Sequence, residues 1–501
     1  MKLFKKIAGF ILAFAMILAI AMPSVVMAEG NGSIGNGSIT ITGAKSGHTF
    51  EAYQIFAGDL SEDGKSLSNI TWGSDVTEAG KTRFGDAQDK ARSLEGDRPA
   101  AVTFANEVSN YLANPSGTSV EDDGNYKIKD LTPGYYLVKD KDGSVTGQDS
   151  YTKFILEVVG NDVSAQVKSS VPTSEKKVKD TNDFTGKITG WQDAADYDIG
   201  DEVPFQLTGH VATDYYQYKS AYQLVFHDTL SKGLTFNESS VKVYVNNSTD
   251  PVSADEYTIT NPTTDGHSFD VTIHNVRNLG QDISKVRVEY TATLNKNAVI
   301  GSAGNPNTMY MEFSNNPNST QGGSKGKTPE DKVIVFTYKT VINKVNSSQQ
   351  SLPGAAFKLE KVLANGSKKT VKEYTITDSE EDCNRTSFEF TGLDDGEYIL
   401  TETKTPHGYN TMHPITFSIT ADHDTDSANP KLRGLNGNLV DGQIIFTADK
   451  DEGTLTANVV NYKGELPNTG GMGTTILYAA GVILILAAGA FLVMQKKAED
   501  K

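Results

Sequence analysis

Lys285-Val-Arg-Val-Glu-Tyr-Thr-Ala-Thr-Leu294 alternates apolar and polar residues over its whole length. Successive side chains of a strand point to opposite faces, so Val286, Val288, Tyr290, Ala292 and Leu294 share one side. Lys285, Arg287, Glu289 and Thr291 share the other. This pattern predicts a half-buried strand of an antiparallel sandwich. Val203-Pro-Phe-Gln-Leu207 and Val241-Lys-Val-Tyr-Val245 behave alike, and residues 171–332 are expected to form one such domain. Asn318 to Asp331, rich in Ser, Gly, Lys and Pro, reads as a loop or linker.

Outward from this stretch, residues 333–464 open with Val333-Ile-Val-Phe-Thr-Tyr-Lys-Thr-Val-Ile-Asn-Lys344 and close with Gly453-Thr-Leu-Thr-Ala-Asn-Val-Val-Asn-Tyr462. Short strands separated by Gly, Asn and Asp turns predict a further sandwich of the immunoglobulin type. Residues 29–170 mix strands at Ser38–Gly43, Thr49–Phe56, Tyr135–Val138 and Lys153–Val159 with a helix over Arg98–Asn114. In that helix Val102, Ala105, Val108 and Leu112 recur at roughly helical spacing. The expected fold is therefore mainly β, with tandem Ig-like sandwiches and a first domain that also contains a helix.

The two ends are of another kind. Lys2, Lys5 and Lys6 precede the apolar run Ile7–Met22, and Val26-Met27-Ala28 offers small residues for cleavage, so residues 1–28 read as a secretory signal peptide. Residues 465–501 contain Leu466-Pro467-Asn468-Thr469-Gly470, an uncharged run from Ile476 to Met494 and the basic pair Lys496-Lys497. Such a run is long enough for a helix to cross a bilayer, and the basic pair follows the positive-inside tendency. Together the three parts resemble the cell-wall sorting signal of Gram-positive surface proteins, Leu-Pro-x-Thr-Gly. The resemblance implies cleavage between Thr469 and Gly470 by a sortase.

The chain carries a formal charge of −17, and loses basic residues with its signal peptide. So acidic a surface excludes nucleic acid as a natural partner. With one cysteine, Cys383, no intrachain disulfide is possible, so an exported chain of this length needs another route to stability.

Tyr398-Ile-Leu-Thr-Glu-Thr-Lys-Thr-Pro-His-Gly-Tyr409 resembles the E-box of Gram-positive pilins. Leu352-Pro-Gly-Ala-Ala-Phe-Lys-Leu359 resembles a collagen-adhesin B-type domain. In that family a lysine of the first strand and an asparagine of the last are joined by an isopeptide bond, promoted by the E-box glutamate. The resemblance implies Lys344, Asn461 and Glu402. Parity places Glu402 with Tyr398 and Leu400, and Asn461 with Leu455, Ala457 and Val459. Lys344 lies with Tyr338 and Ile342, but Lys339 also has valine neighbours.

The middle domain is similar to a pilin middle domain. Glu175-Lys-Lys-Val-Lys-Asp180 puts Lys176 at the bond-forming position, His227-Asp-Thr-Leu-Ser-Lys-Gly-Leu-Thr-Phe236 carries the acid Asp228, and Asn307 is the acceptor. Parity sets Asp228 with Tyr222, Leu224 and Phe226, Asn307 with Met309, Met311 and Phe313, and Lys176 with Val178. These residue types suit the chemistry. A buried amine is driven toward its neutral, nucleophilic form, and a buried carboxyl toward a protonated form that can shuttle protons as ammonia leaves.

Major pilins also carry an acceptor lysine between their first two domains. Here Val163-Ser-Ala-Gln-Val-Lys168 matches by position only, Gln166-Val167 standing where Tyr-Pro is common. Parity turns Lys168 outward, although Lys176 to Lys179 are nearby alternatives.

The resemblance thus implies the backbone subunit of a covalent pilus. Its partners are a pilin-class sortase and a housekeeping sortase, further copies of itself, ancillary pilins and peptidoglycan. No cofactor is expected. A monomeric wall-anchored adhesin is the alternative, and it needs no acceptor lysine. Asp422-His-Asp-Thr-Asp426 lacks the later ligands of a calcium loop and reads as a solvated turn. The eight histidines fall in no recognisable metal spacing, and Cys383 sits among carboxylates that disfavour its thiolate.

Overall fold

The computed structural model describes residues 36–60, 67–95, 97–152, 154–160, 162–167, 170–377, 379–464 and 477–489. It is mainly β, with three sandwiches in tandem. The signal peptide, Lys168 and Leu466–Gly470 lie outside the described residues. Residues 477–489 are helical, but among the described residues no helix is long and apolar enough to cross a membrane.

In the first domain Gly37–Thr42 sits between Asn125–Leu131 and Val163–Gln166 in one sheet. Phe50–Leu60 pairs Leu67–Trp72 and Gly134–Asp140 in the other. Ile39, Ile41, Phe50, Tyr126 and Val138 fill the space between them. A second cluster, with Phe56, Val108 and Phe104, packs helices against the outer face of the second sheet. The helix expected at Arg98–Asn114 runs from Arg98 to Val108 and ends in a 3-10 turn, Ser109–Tyr111. Asp97 caps it by accepting from Ala100 N, and Pro99 occupies its first turn. Two short helices, Glu78–Phe84 and Ala87–Leu94, were not expected; each is only about two turns long, and their periodicity is correspondingly faint.

The middle domain packs Thr173–Val178, Glu202–His210, Lys285–Leu294 and Leu234–Val245 against a larger sheet. That sheet orders Ala194–Asp196, Asp331–Phe336, Asn305–Ser314, Leu224–Leu230, Phe269–Ile273 and Tyr257–Thr260. Lys285–Leu294 buries every second residue, as its alternation predicts. Within the expected loop, Lys325–Lys327 forms a short strand against Glu312–Ser314.

A cut at 332/333 falls inside a strand. Asp331–Phe336 pairs with Asn305–Met309 and with Ala194–Asp196 in the middle-domain sheet, with Val333 and Val335 in the middle core and Ile334 and Phe336 in the core of the third domain, so the strand is shared by both. The run from Val333 to Lys344 has no Gly or Pro to mark the change. Thr337 is the one residue between the two strands, fully buried, its hydroxyl donating to Leu393 O at 3.1 Å.

In the third domain Tyr338–Asn346 lies parallel to the last strand, Thr454–Asn461. Their sheet packs on one ordered Lys368–Glu373, Ala356–Val362, Gly396–Lys404, Ile415–His423 and Leu432–Asp441. The two domains are joined by ionic contacts. Lys361, without exposed surface, meets Asp394 of its own domain and Asp183 and Asp198 of the middle domain, the last two at 3.0 and 3.1 Å. Burial disfavours its charge, but these carboxylates outweigh that and hold its pKa above the ordinary amine value. Across the same pair of domains, His423 of the third lies 3.7 Å from Asp180 and 3.5 Å from Asp196 of the middle one. In the turn at Asp422–Asp426, Asp424 is held by Arg433 through two bonds of 2.8 Å.

Candidate functional site

Lys176 lies at the centre of Thr173–Val178, on the inner face of the smaller middle-domain sheet. Asp228 and Asn307 come from the opposite sheet, on antiparallel neighbours in which Asp228 pairs with Met309 and Leu230 with Asn307. That register puts both side chains inward, one step apart diagonally. None of the three has exposed surface.

The Lys176 amine donates to Asp228 and to the Tyr290 hydroxyl, the latter at 3.1 Å. Asn307 donates its amide to the same hydroxyl at 2.7 Å, and the hydroxyl donates to Asp228 Oδ2 at 3.0 Å. One oxygen atom therefore gathers the amine, the amide and the acid. By its place in the alternation Tyr290 is only a core residue. The signal was a hydroxyl in an otherwise aliphatic row, which a buried tyrosine satisfies only with a polar partner.

Burial lowers the pKa of Lys176 against the opposing pull of Asp228, and raises that of Asp228 against the opposing pull of Lys176. Both shifts run toward an uncharged pair, because two charges in an apolar core lose more hydration than their contact returns. Asn307 Oδ1 and Asp228 Oδ1 are buried without a hydrogen-bond partner. A protonated Asp228 turned toward the amide would supply the donor that Asn307 Oδ1 lacks.

The third domain uses a different frame. Lys344 and Asn461 lie on the parallel first and last strands, where Lys344 pairs with Val459 and Asn346 with Asn461. Lys344 and Asn461 are thus on one face, one diagonal step apart. Glu402 reaches them from the other sheet and accepts the Asn461 amide at 2.8 and 3.1 Å. Glu402 is itself held by Met412 N at 3.0 Å and the Thr405 hydroxyl at 3.2 Å, both from the loop after its strand. Lys344 donates to Val459 O at 3.0 Å. Burial lowers its pKa to about 8, while Glu402 pulls the other way. Lys339, the alternative, is partly exposed and lies 3.5 Å from Glu389 on the outer side. Asn461 Oδ1, like Asn307 Oδ1, is buried and unpartnered.

At the junction of the first two domains, Ser164 and Gln166 face solvent while Ala165 and Val167 are buried, the alternation read from the sequence. Of the nearby lysines, Lys177 pairs with Asp193 at 2.6 Å and Lys179 sits over the Trp191 ring at 4.5 Å.

Three families match the chain. Residues 199–317 match the Gram-positive pilin backbone subunit 2, Cna-B-like domain; residues 339–431 the prealbumin-like fold domain; and residues 458–501 the LPXTG cell wall anchor motif. The trypsin-resistant surface T6 protein of Streptococcus pyogenes serotype M6 is 28% identical over 399 residues, covering 66% of this chain and 70% of that protein. The solved T6 backbone pilin, described as a modular three-domain structure, superposes with a TM-score of 0.54 at 20% identity. The match covers 87% of this chain and all of that one. The full-length major pilin SpaD of Corynebacterium diphtheriae is similar at 19% identity, with a TM-score of 0.49 and coverage of 86% and 98%.

Proposed function

We infer that this chain, a Gram-positive backbone pilin by its domains and wall-anchor motif, is the shaft subunit of a covalent, sortase-polymerised pilus on the cell wall. It is a structural protein and a substrate of the enzyme that assembles it. In this reading a pilin-class sortase cleaves between Thr469 and Gly470 and transfers Thr469 to Lys168 of a neighbouring copy. A housekeeping sortase then passes the base of the fibre to peptidoglycan, and ancillary pilins complete it.

Within each subunit, Lys176 is joined to Asn307 and Lys344 to Asn461, with Asp228 and Glu402 as promoting acids. The observation that carries this is the convergence of Lys176, Asp228 and Asn307 on the Tyr290 hydroxyl in a core without exposed surface. The neutral Lys176 amine attacks Asn307 Cγ. As the new C–N bond forms, Asp228 takes a proton from Nζ and returns one to Nδ2. The C–Nδ2 bond then breaks and ammonia leaves, so the product is an uncharged secondary amide. An uncharged product relieves the core of any buried charge.

Each cross-link would close a loop of more than a hundred residues, and by the loop-entropy account that is worth about 4–5 kcal/mol. This supplies what the missing disulfides do not, and extends to this chain the trypsin resistance named for its streptococcal relative. The intact mass of the secreted protein tests it: the reading requires a loss of two ammonia molecules, and a mass equal to the sequence would refute the internal bonds.

A further inference from the structure

On the face of Leu224–Leu230 turned away from Asp228 stands His227, paired across the ladder with Asp270 of Phe269–Ile273. The segment before that second strand brings Asp265 and His267 over the same spot. One ligand atom from each of the four residues lies within 4.8 Å of every other. His227 Nδ1 is 2.8 Å from Asp270 Oδ1, and His267 Nδ1 is 3.0 Å from Asp265 Oδ1 and 3.7 Å from Asp270 Oδ1.

We propose that His227, Asp265, His267 and Asp270 form a tetrahedral site for one divalent metal ion of the zinc class. A tetrahedral zinc with ligands at 2.0–2.2 Å has ligand atoms about 3.3–3.6 Å apart. The observed separations of 2.8, 3.0 and 3.7 Å bracket that edge, and the shortest is a hydrogen bond between His227 Nδ1 and Asp270 that an ion would replace. His267 Nδ1 is buried and makes no hydrogen bond, although a carboxylate oxygen is 3.0 Å away. Asp265 Oδ1 accepts the backbone N–H of His267 at 3.5 Å instead, which holds the carboxylate next to the ring nitrogen. Two imidazoles with two carboxylates favour zinc, nickel or cobalt over calcium and magnesium, which take oxygen ligands alone.

The surroundings fit. His227 is 7% exposed and stacks on Tyr310 at 4.7 Å, which fixes its ring. Glu312 Oε2 is 3.7 Å from the other nitrogen, Nε2, where an outer carboxylate would orient a ligating imidazole. Asp265 is the open edge through which an ion enters, its side chain 49% exposed. A bound ion would tie the segment carrying Asp265 and His267 to the back of the strand that bears Asp228. No spacing rule finds the site, because His227 is distant in sequence from the other three residues.

The test uses the secreted protein stripped of metal by a chelator, then titrated with Zn2+ by calorimetry and with Co2+ by visible absorption. One Zn2+ per chain and an intense tetrahedral Co2+ spectrum are expected. His267→Ala should weaken Zn2+ binding by at least about 100-fold, since loss of even an outer partner costs up to that much. Asp265→Asn, isosteric and at the open edge, should do so without disturbing the fold, and His413→Ala should leave binding intact. Absence of stoichiometric binding in the wild type, or unchanged binding in both site variants, would overturn the proposal.

Discussion

The Asn307 amide donates to the Tyr290 hydroxyl at 2.7 Å, on the one oxygen that also receives the Lys176 amine. In the proposed reaction, nucleophile and leaving group are thus positioned by a residue that neither gains nor loses a bond. Tyr290→Phe keeps the ring packing against Phe205 and Phe269 and removes only that oxygen. It leaves Asn307 with an unpaired amide, a cost of about 1–3 kcal/mol in the precursor. Loss of the middle-domain ammonia should slow markedly, as followed by mass in freshly synthesised protein. Wild-type kinetics would make Tyr290 a bystander.

Asp228→Ala and Glu402→Ala should each retain one ammonia, in the middle and third domain respectively, and the double variant should retain both. Each lost bond should lower the stability of its own domain by about 4–5 kcal/mol. Denaturant melts and trypsin digestion should show the affected domain failing first.

Lys344 has a pKa of about 8 in the folded precursor, below the ordinary amine value. In the proposed reaction only its neutral form attacks, and that form grows as pH rises through 8. Third-domain bond formation should therefore speed up roughly tenfold per unit below that pH and level off above it. A flat rate across this range would remove deprotonation of Lys344 from the account.

Lys361 is enclosed by Asp183, Asp198 and Asp394. Lys361→Met leaves these acids facing one another in a buried interface, a loss of about 3–5 kcal/mol. The middle and third domains should then melt separately, and protease should gain access near Thr337. A single cooperative transition in the variant would show that the interface does not depend on this charge.

The local alternation of strands made much of this legible. Asp228, Asn307, Lys176, Glu402 and Asn461 point inward because each sits in phase with apolar neighbours, a property of a few consecutive residues. Lys344 and Lys339 were harder to separate, since both are flanked by apolar residues, and only the burial of one and the Glu389 contact of the other divide them. The role of Lys361 depends on a neighbouring domain, which no local pattern reports. The same is true of the strand Asp331–Phe336, which joins the middle sheet although its residues run on without a break into the third domain. Tyr290 was placed on the right face, but its partners come from three other strands.

Polymerisation into a covalent shaft is checked by an immunoblot of boiled, detergent-treated wall extracts. A ladder of high-mass species is expected in the wild type, collapsing to one subunit in Lys168→Ala. A ladder that persists in the variant would move the acceptor to another lysine. A single band in the wild type, with the protein expressed, would contradict polymerisation and leave a monomeric wall-anchored adhesin.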